Sequence, residues 1–233
     1  MNNLLRILHD IKHPERGVVW QLHRVTNEDS KEEKMREYEI KPAQLISLIE
    51  SSLRKGYHFI SIDQLYHMII SNHYDKKFIV VTLDDGYADN YEMAFPIFKQ
   101  YNVPFCIFIT KDNVEKGKEP YRFLTEEQIC KLDKECLCTI ASHTVSHPRL
   151  YVLAEDQRKE EIKICKDWLE QLLHHPVNYF AYPYGAYDDT TIEKVKESGI
   201  SMAFSAWGGA IRKRKPIDIY QVPRLLITPS TVK

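Results

Sequence analysis

Two adjacent carboxylates, Asp84 and Asp85, stand before Gly86 at the end of the apolar run Phe78-Ile79-Val80-Val81-Thr82-Leu83. Such a run reads as a buried strand, and the Asp-Asp-Gly after it as the turn where the backbone leaves the strand. One carboxylate there can hold a metal ion while its neighbour accepts a proton. Further along, His143 and His147 are separated by three residues. In a helical turn that spacing sets two Cβ atoms about 5–6 Å apart, close enough to share one ion. A catalytic zinc takes three protein ligands and keeps one position open. One carboxylate and two imidazoles meet that requirement, and the spare carboxylate can be the base. The set points to a metal-dependent hydrolase. Taken singly, each piece has a plainer reading, since Asp and Gly are ordinary turn residues and two histidines alone are not a site.

Residues so far apart in the chain meet only if the fold collects them. Short apolar runs alternate with amphipathic helical stretches. Strands are expected at 18–22, 58–60, 78–83, 105–109, 138–141, 179–182, 201–205 and 222–227. Helices are expected at 42–55, where Leu45, Leu48, Ile49 and Ser52 recur at helical spacing and Gly56 follows, and at 62–70, 90–101, 154–173 and 189–197. Pro96 should bend the third of these. Thr125-Glu126-Glu127-Gln128 is a capping box that opens another helix. Residues 26–37 are polar and charged and read as a mobile loop. Strand and helix alternate throughout, which predicts an α/β fold with parallel strands, and the number of units fits a barrel. In such a fold chemistry gathers where strands end. Asp84-Asp85-Gly86, His143 to His147 and Ala181 to Gly185 all fall at expected strand ends, and His23 follows another.

The chain has 233 residues and a formal net charge of -1, so no global field points to nucleic acid or to an anionic membrane surface. No apolar run approaches the roughly 18 residues of a membrane span. Residues 1–10 lack the apolar stretch and cleavage site of a signal peptide, which predicts a cytoplasmic location, or an extracytoplasmic one if a signal has been removed. Cys106, Cys130, Cys136, Cys138 and Cys165 read as scattered reduced thiols, because Cys136-Leu137-Cys138 has no second pair at zinc spacing.

In order and spacing, Thr82-Leu83-Asp84-Asp85-Gly86, His143-Thr144-Val145-Ser146-His147 and Tyr182-Pro183-Tyr184-Gly185 resemble the motifs of polysaccharide deacetylases, the NodB-homology domain of carbohydrate esterase family 4. The resemblance covers roughly residues 18–228, with residues 1–17 left as an N-terminal helical extension. It implies a distorted (β/α) barrel of about seven strands in a single domain. It also implies a divalent metal, zinc first with cobalt, nickel or manganese as alternatives, and hydrolysis of an N-acetyl group from a sugar or glycan. Carried over, Asp84 would be the general base, Asp85, His143 and His147 the metal ligands, and Tyr184 the donor of a backbone N–H to the oxyanion. Tyr182, Pro183 and Trp207 would lie along the substrate.

Two places depart from the family pattern. Ala181 stands where many members carry an arginine beside the base, and the C-terminal strand has no histidine to serve as acid. Phe-Ala-Tyr-Pro-Tyr-Gly at 180–185 resembles the subgroup that deacetylates biofilm poly-N-acetylglucosamine, which carries its acid after an early strand. His23 matches that position, and Arg224 is the candidate to replace the arginine or to meet substrate.

Weaker signals remain. Arg212-Lys213-Arg214-Lys215 is either a solvated loop or a contact for an anionic group, and Leu4, Leu5, Leu8 and Ile11 share one helical face that can pack on the barrel. Two other functions compete with deacetylation: an amide or imide hydrolase acting on a small non-sugar molecule, and a non-catalytic glycan-binding relative. A cytoplasmic location would favour a nucleotide- or lipid-linked sugar precursor of surface polysaccharide as substrate.

Overall fold

A computed structural model describes residues 17–74, 77–117, 120–211 and 216–232. Residues 1–16, with the Leu4 to Ile11 face, and residues 212–215, the basic cluster, lie outside the described residues.

The chain opens with β1 (Val18–Leu22), β2 (Arg24–Val25), β3 (Glu39–Ile40), α1 (Pro42–Arg54), β4 (His58–Phe59) and α2 (Ile62–Ser71). It continues through β5 (Phe78–Leu83), α3 (Phe95–Tyr101), β6 (Phe105–Ile109), α4 (Lys111–Lys116), α5 (Glu126–Asp133) and β7 (Cys138–Ser142). It ends with α6 (Glu155–Leu173), β8 (Tyr179–Ala181), α7 (Asp189–Glu197), β9 (Met202–Gly208) and β10 (Val222–Leu226). The large sheet runs β1-β10-β9-β8-β7-β6-β5-β4 with parallel pairings, and β1 also pairs with β5. That pairing closes seven strands into a barrel and leaves β4 beside the start of β5. The ring is distorted. β7 and β8 meet only at Ser142 and Phe180, and the β9–β10 register shifts between Val222 and Arg224.

Strand parity explains what faces where. β5 is buried along its whole length, so its sequence is continuously apolar rather than alternating. Ile79, Val81 and Leu83 point outward to Leu45 and Ile49 of α1 and Phe98 of α3. Val80 points inward with Val19, Cys106, Phe108, Ala141, Ala181, Phe204 and Val222. Successive inward positions lie two residues apart, so Thr82 and Asp84 continue the inward row of β5. Gln21 and His23 continue that of β1, Arg224 that of β10, and His143 that of β7. The apolar filling of the barrel thus becomes polar toward the carboxyl ends of its strands.

Two local features differ from the sequence expectation, and a third matches it. The helix expected at 90–101 begins with a π turn, Asn90–Ala94, in which Phe95 N–H donates to Asn90 C=O, and only then becomes α3. Pro96 has no N–H to donate to Glu92, so the register shifts rather than the axis simply bending. Residues 26–37 are tied down rather than loose. Thr26 N–H donates to Ile40 C=O at 3.0 Å, Ser30 N–H to Glu39 Oε2 at 2.9 Å and Arg36 Nε to Ser30 C=O at 2.9 Å, so the loop is held largely by β3 just after it. The capping box at Thr125 forms as expected, with Gln128 N–H on Thr125 Oγ1 at 3.2 Å and Thr125 N–H on Gln128 Oε1 at 3.0 Å.

Candidate active site

Asp84 is the inward residue at the top of β5 and is 2 % exposed. Arg224 Nη1 donates to its Oδ1 at 2.6 Å, Arg224 Nη2 to its Oδ2 at 2.8 Å, and Gln21 Nε2 to Oδ2 at 2.8 Å. Burial alone would raise the Asp84 pKa, but the charge and hydrogen bonds of the Arg224 guanidinium hold it well below the usual carboxylate range. A carboxylate has about four lone-pair positions. Three are occupied here, so an ionised oxygen can still accept a proton. Arg224 is equally fixed, since Nε donates to Ser205 C=O at 2.9 Å and Nη1 to Thr82 Oγ1 at 3.1 Å.

Asp85 turns away from Asp84 because its φ is 72°, and its carbonyl accepts from Asn113 Nδ2 at 3.1 Å. Its Oδ1 lies 3.7 Å from His143 Nε2 and 3.4 Å from His147 Nε2. One ligand atom from each of the three residues falls within 4.8 Å of the others, the group of metal-ligating type found among the described residues. His143 Nδ1 is 2.7 Å from Ala181 C=O. A proton on Nδ1 satisfies that carbonyl and leaves the Nε2 lone pair facing Asp85. Burial pushes the His143 imidazolium down to about 4, against the pull of Asp84 and Asp85, so the ring is a neutral ligand at neutral pH. Two imidazoles and a carboxylate with an open side are the donor set of a hydrolytic zinc site. The expected helical spacing is not how the histidines meet. They leave β7 through an irregular turn in which Thr144 and His147 have φ of 71° and 60°.

The Tyr182 to Gly185 segment follows β8. Tyr184 has φ 59°, and its half-exposed ring meets the His147 ring edge-on at 4.6 Å. Gly185 has φ 62°, and a Cβ there would stand 2.5 Å from Ala206 N, so only glycine fits. The hydrogen bonds of the turn use the N–H groups of Gly185 and Ala186, at 2.8 and 3.0 Å. Pro183 is buried. Trp207 at the end of β9 is 67 % exposed, its Nε1 donates to Tyr184 C=O at 3.2 Å, and it lines a groove of about 840 Å³ with Tyr151, Tyr187 and Gln221.

His23 follows β1 on the Asp84 side of the site. Asn90 Nδ2 donates to its carbonyl at 2.8 Å, its ring meets Tyr38 at 4.7 Å, and its Nδ1 is buried without a protein partner. Burial lowers its pKa against the attraction of Asp84 and Asp85.

Two residues expected along the substrate are placed elsewhere. The Tyr182 side chain is 0 % exposed, with its hydroxyl donating to Tyr220 C=O at 3.0 Å. Arg224 is 1 % exposed and faces Asp84 rather than the groove. Gln21, a direct partner of the base, escaped the sequence reading. Its signal was a polar residue inside the otherwise apolar run Val18-Val19-Trp20-Gln21-Leu22.

A closed parallel barrel whose strand ends carry an Asp-His-His cluster beside an ionised aspartate defines a hydrolase scaffold. Residues 71–203 match the family model described as polysaccharide deacetylase, and the chain belongs to that family. Among curated proteins, YxkH of Bacillus subtilis (strain 168) is 29% identical over 154 residues, which is 66% of this chain and 53% of that protein. The poly-beta-1,6-N-acetyl-D-glucosamine N-deacetylase of Staphylococcus aureus (strain MSSA476) is 22% identical over 213 residues, 85% of this chain and 71% of that protein. This chain thus spans about half the length of the first relative and more of the second. Two solved structures share the fold closely. The Streptococcus pyogenes deacetylase PplD, in complex with acetate, superposes with a TM-score of 0.81 at 25% identity, covering 93% of this chain and 94% of its own. IcaB from Ammonifex degensii superposes with 0.82 at 26% identity, covering 94% of each chain.

Proposed function

We propose that this protein removes N-acetyl groups from an N-acetylated sugar or glycan of surface polysaccharide, releasing acetate and a free amine. The observation that carries the reading is the Asp85–His143–His147 cluster next to an Asp84 kept ionised by Arg224. The relatives named as deacetylases, one of them for poly-beta-1,6-N-acetyl-D-glucosamine, support the choice of bond and of substrate class.

Asp85, His143 and His147 would hold a divalent cation, for which we propose zinc from the donor set. Bound there, the ion supplies Lewis acidity that polarises the acetyl carbonyl and acidifies the attacking water. Asp84 takes the proton of that water through its remaining lone pair. Arg224 and Gln21 keep the carboxylate oriented and its proton affinity low, so that it is always ionised when substrate arrives. Tyr184 would give its backbone N–H to the developing oxyanion, a type of contact commonly worth about 2.7–4 kcal/mol. His23 passes a proton to the departing amine. Its lowered pKa makes the imidazolium a stronger acid, although a smaller fraction is protonated at neutral pH. Trp207 offers an exposed aromatic face to the C–H surfaces of sugar rings.

Acetate release from β-1,6-linked N-acetylglucosamine oligomers, free N-acetyl sugars and nucleotide-linked N-acetyl sugars tests the reading, with zinc supplied or chelated. Zinc-dependent acetate from any of them is expected. Zinc-loaded protein that releases none across the panel overturns it.

A further inference from the structure

The turn between the two histidines is under strain and is held by a residue outside every motif. Thr144 is β-branched, 0 % exposed and at φ 71°, and His147 is at φ 60°. Such conformations persist only where the surroundings over-determine them. On one side, the Thr144 and Val145 carbonyls accept from Lys111 and Asp112 N–H at the start of α4, at 3.2 and 2.8 Å. Within the turn, His147 N–H donates to Thr144 Oγ1 at 3.0 Å. On the other side stands Glu161 of α6. Its Oε2 accepts from Ser146 N–H at 2.9 Å and from Val145 N–H at 3.0 Å, a donor that its own carbonyl shares at 3.1 Å, and its Oε1 accepts from the Ser146 hydroxyl at 2.6 Å.

Neighbouring acids on α6 behave differently. Asp167 pairs with Lys163 and Glu155 with Lys194, and Glu170 pairs with Lys166 while also accepting from Val177 N–H at 2.9 Å. The Glu161 carboxylate is spent instead on three donors of one turn, and hydrogen bonds to an ionised acceptor are roughly twice as strong as neutral ones.

We propose that Glu161 is a positioning residue for the metal centre. Its carboxylate clamps residues 144–146 so that the Nε2 atoms of His143 and His147 converge on Asp85 before an ion binds. The proposal rests on the reading of Asp85, His143 and His147 as ligands. Without the clamp the turn must be ordered at the moment of binding, and that cost appears as lost affinity. Partners that orient metal ligands from behind are commonly worth about 10–100-fold in affinity.

The test is the zinc dissociation constant of the full chain, measured by competition with a chromophoric chelator, for wild type, Glu161→Ala, Glu161→Gln, Ser146→Ala and His143→Ala. Glu161→Ala should bind zinc about 10–100-fold more weakly. Glu161→Gln should stay closer to wild type than to Glu161→Ala, because its amide oxygen can accept both N–H groups and its NH₂ can meet the Ser146 hydroxyl. Ser146→Ala, which removes one bond, should fall between wild type and Glu161→Ala and keeps the test open if Glu161→Ala does not fold. The d–d spectrum of the cobalt-substituted protein should change in Glu161→Ala, which a merely stabilising role would not produce. A Glu161→Ala protein with unchanged zinc affinity overturns the proposal, even if its Tm falls. A wild type that binds no better than His143→Ala would overturn the ligand assignment itself, and this proposal with it.

Discussion

Arg224→Met isolates the pairing on which the ionised base depends. Met keeps an unbranched apolar stem and removes every donor. Asp84 then loses the contacts at 2.6 and 2.8 Å and keeps only Gln21 at 2.8 Å, while remaining 2 % exposed. Breaking a buried pair from one side costs about 3–5 kcal/mol, because the remaining charge is uncompensated. In a chain of this size 1 kcal/mol moves Tm by roughly 2–4 °C, so a fall of roughly 6–20 °C follows. The pH dependence has a definite sign. In wild type the folded carboxyl lies below its unfolded value of about 3.9, so the stabilisation is complete above about pH 4 and fades as pH falls through the folded value. In the variant burial dominates and the folded carboxyl lies above 3.9, so the variant gains stability as pH falls from neutral toward about 4. The gap between the two proteins should therefore be widest near neutrality and narrow on acidification. Thermal unfolding with chelator present, from about pH 4.5 to 8, reads this without metal linkage. Adding Asp84→Asn to Arg224→Met removes the stranded charge and should recover part of the lost stability. A gap that is small, or that stays constant across the range, refutes the reasoning.

Other outcomes follow from the same geometry. His23→Ala should lower turnover about 10²–10⁴-fold while zinc, measured by metal analysis, stays bound. Tyr184→Phe should retain near-normal kcat in the acetate assay, since only the backbone N–H is assigned a role, and a large loss would move that role to the hydroxyl. Gly185→Ala should lower Tm and activity together, because its Cβ would stand 2.5 Å from Ala206 N at a φ of +62°; unchanged thermal unfolding would contradict the fit. Thiol titration of the native protein should label exposed Cys136 first and leave Cys106 and Cys165 until unfolding, burial having pushed the Cys165 thiol up to about 11.

Much of this molecule could be read from its residues. Central strands such as β5 and β6 are buried on both faces, so they appear as apolar runs such as Phe105 to Ile109, and Asp84 and Asp85 fall just after one of them. Other features depend on tertiary contact. Nothing in the string Glu155 to Lys166 distinguishes Glu161 from its charged neighbours, because which acid faces the histidine turn is set by the docking of α6. The left-handed conformations of Asp85, Thr144, His147 and Tyr184 are equally silent, since none is the glycine that a reader would expect there. The order of residues 26–37 comes from Glu39 and Tyr121, which lie outside that segment.

Arg224 meets Asp84 from a different strand than the one on which the family resemblance leads us to look for an arginine. An arginine at 181 would approach Asp84 from β8, but Ala181 is small and buried, and its carbonyl is taken by His143. β10 instead lies next to β1, which lies next to β5, so Arg224 reaches Asp84 on the Gln21 side. What burial of Asp84 demands is a fixed cation with its remaining donors satisfied. Ser205 C=O and Thr82 Oγ1 meet that second condition on β9 and β5, where the guanidinium arriving from β10 reaches both. The polar layer works as a unit: Ser205 and Thr82 fix Arg224, Arg224 keeps Asp84 ionised, and Gln21 holds the same carboxylate from β1.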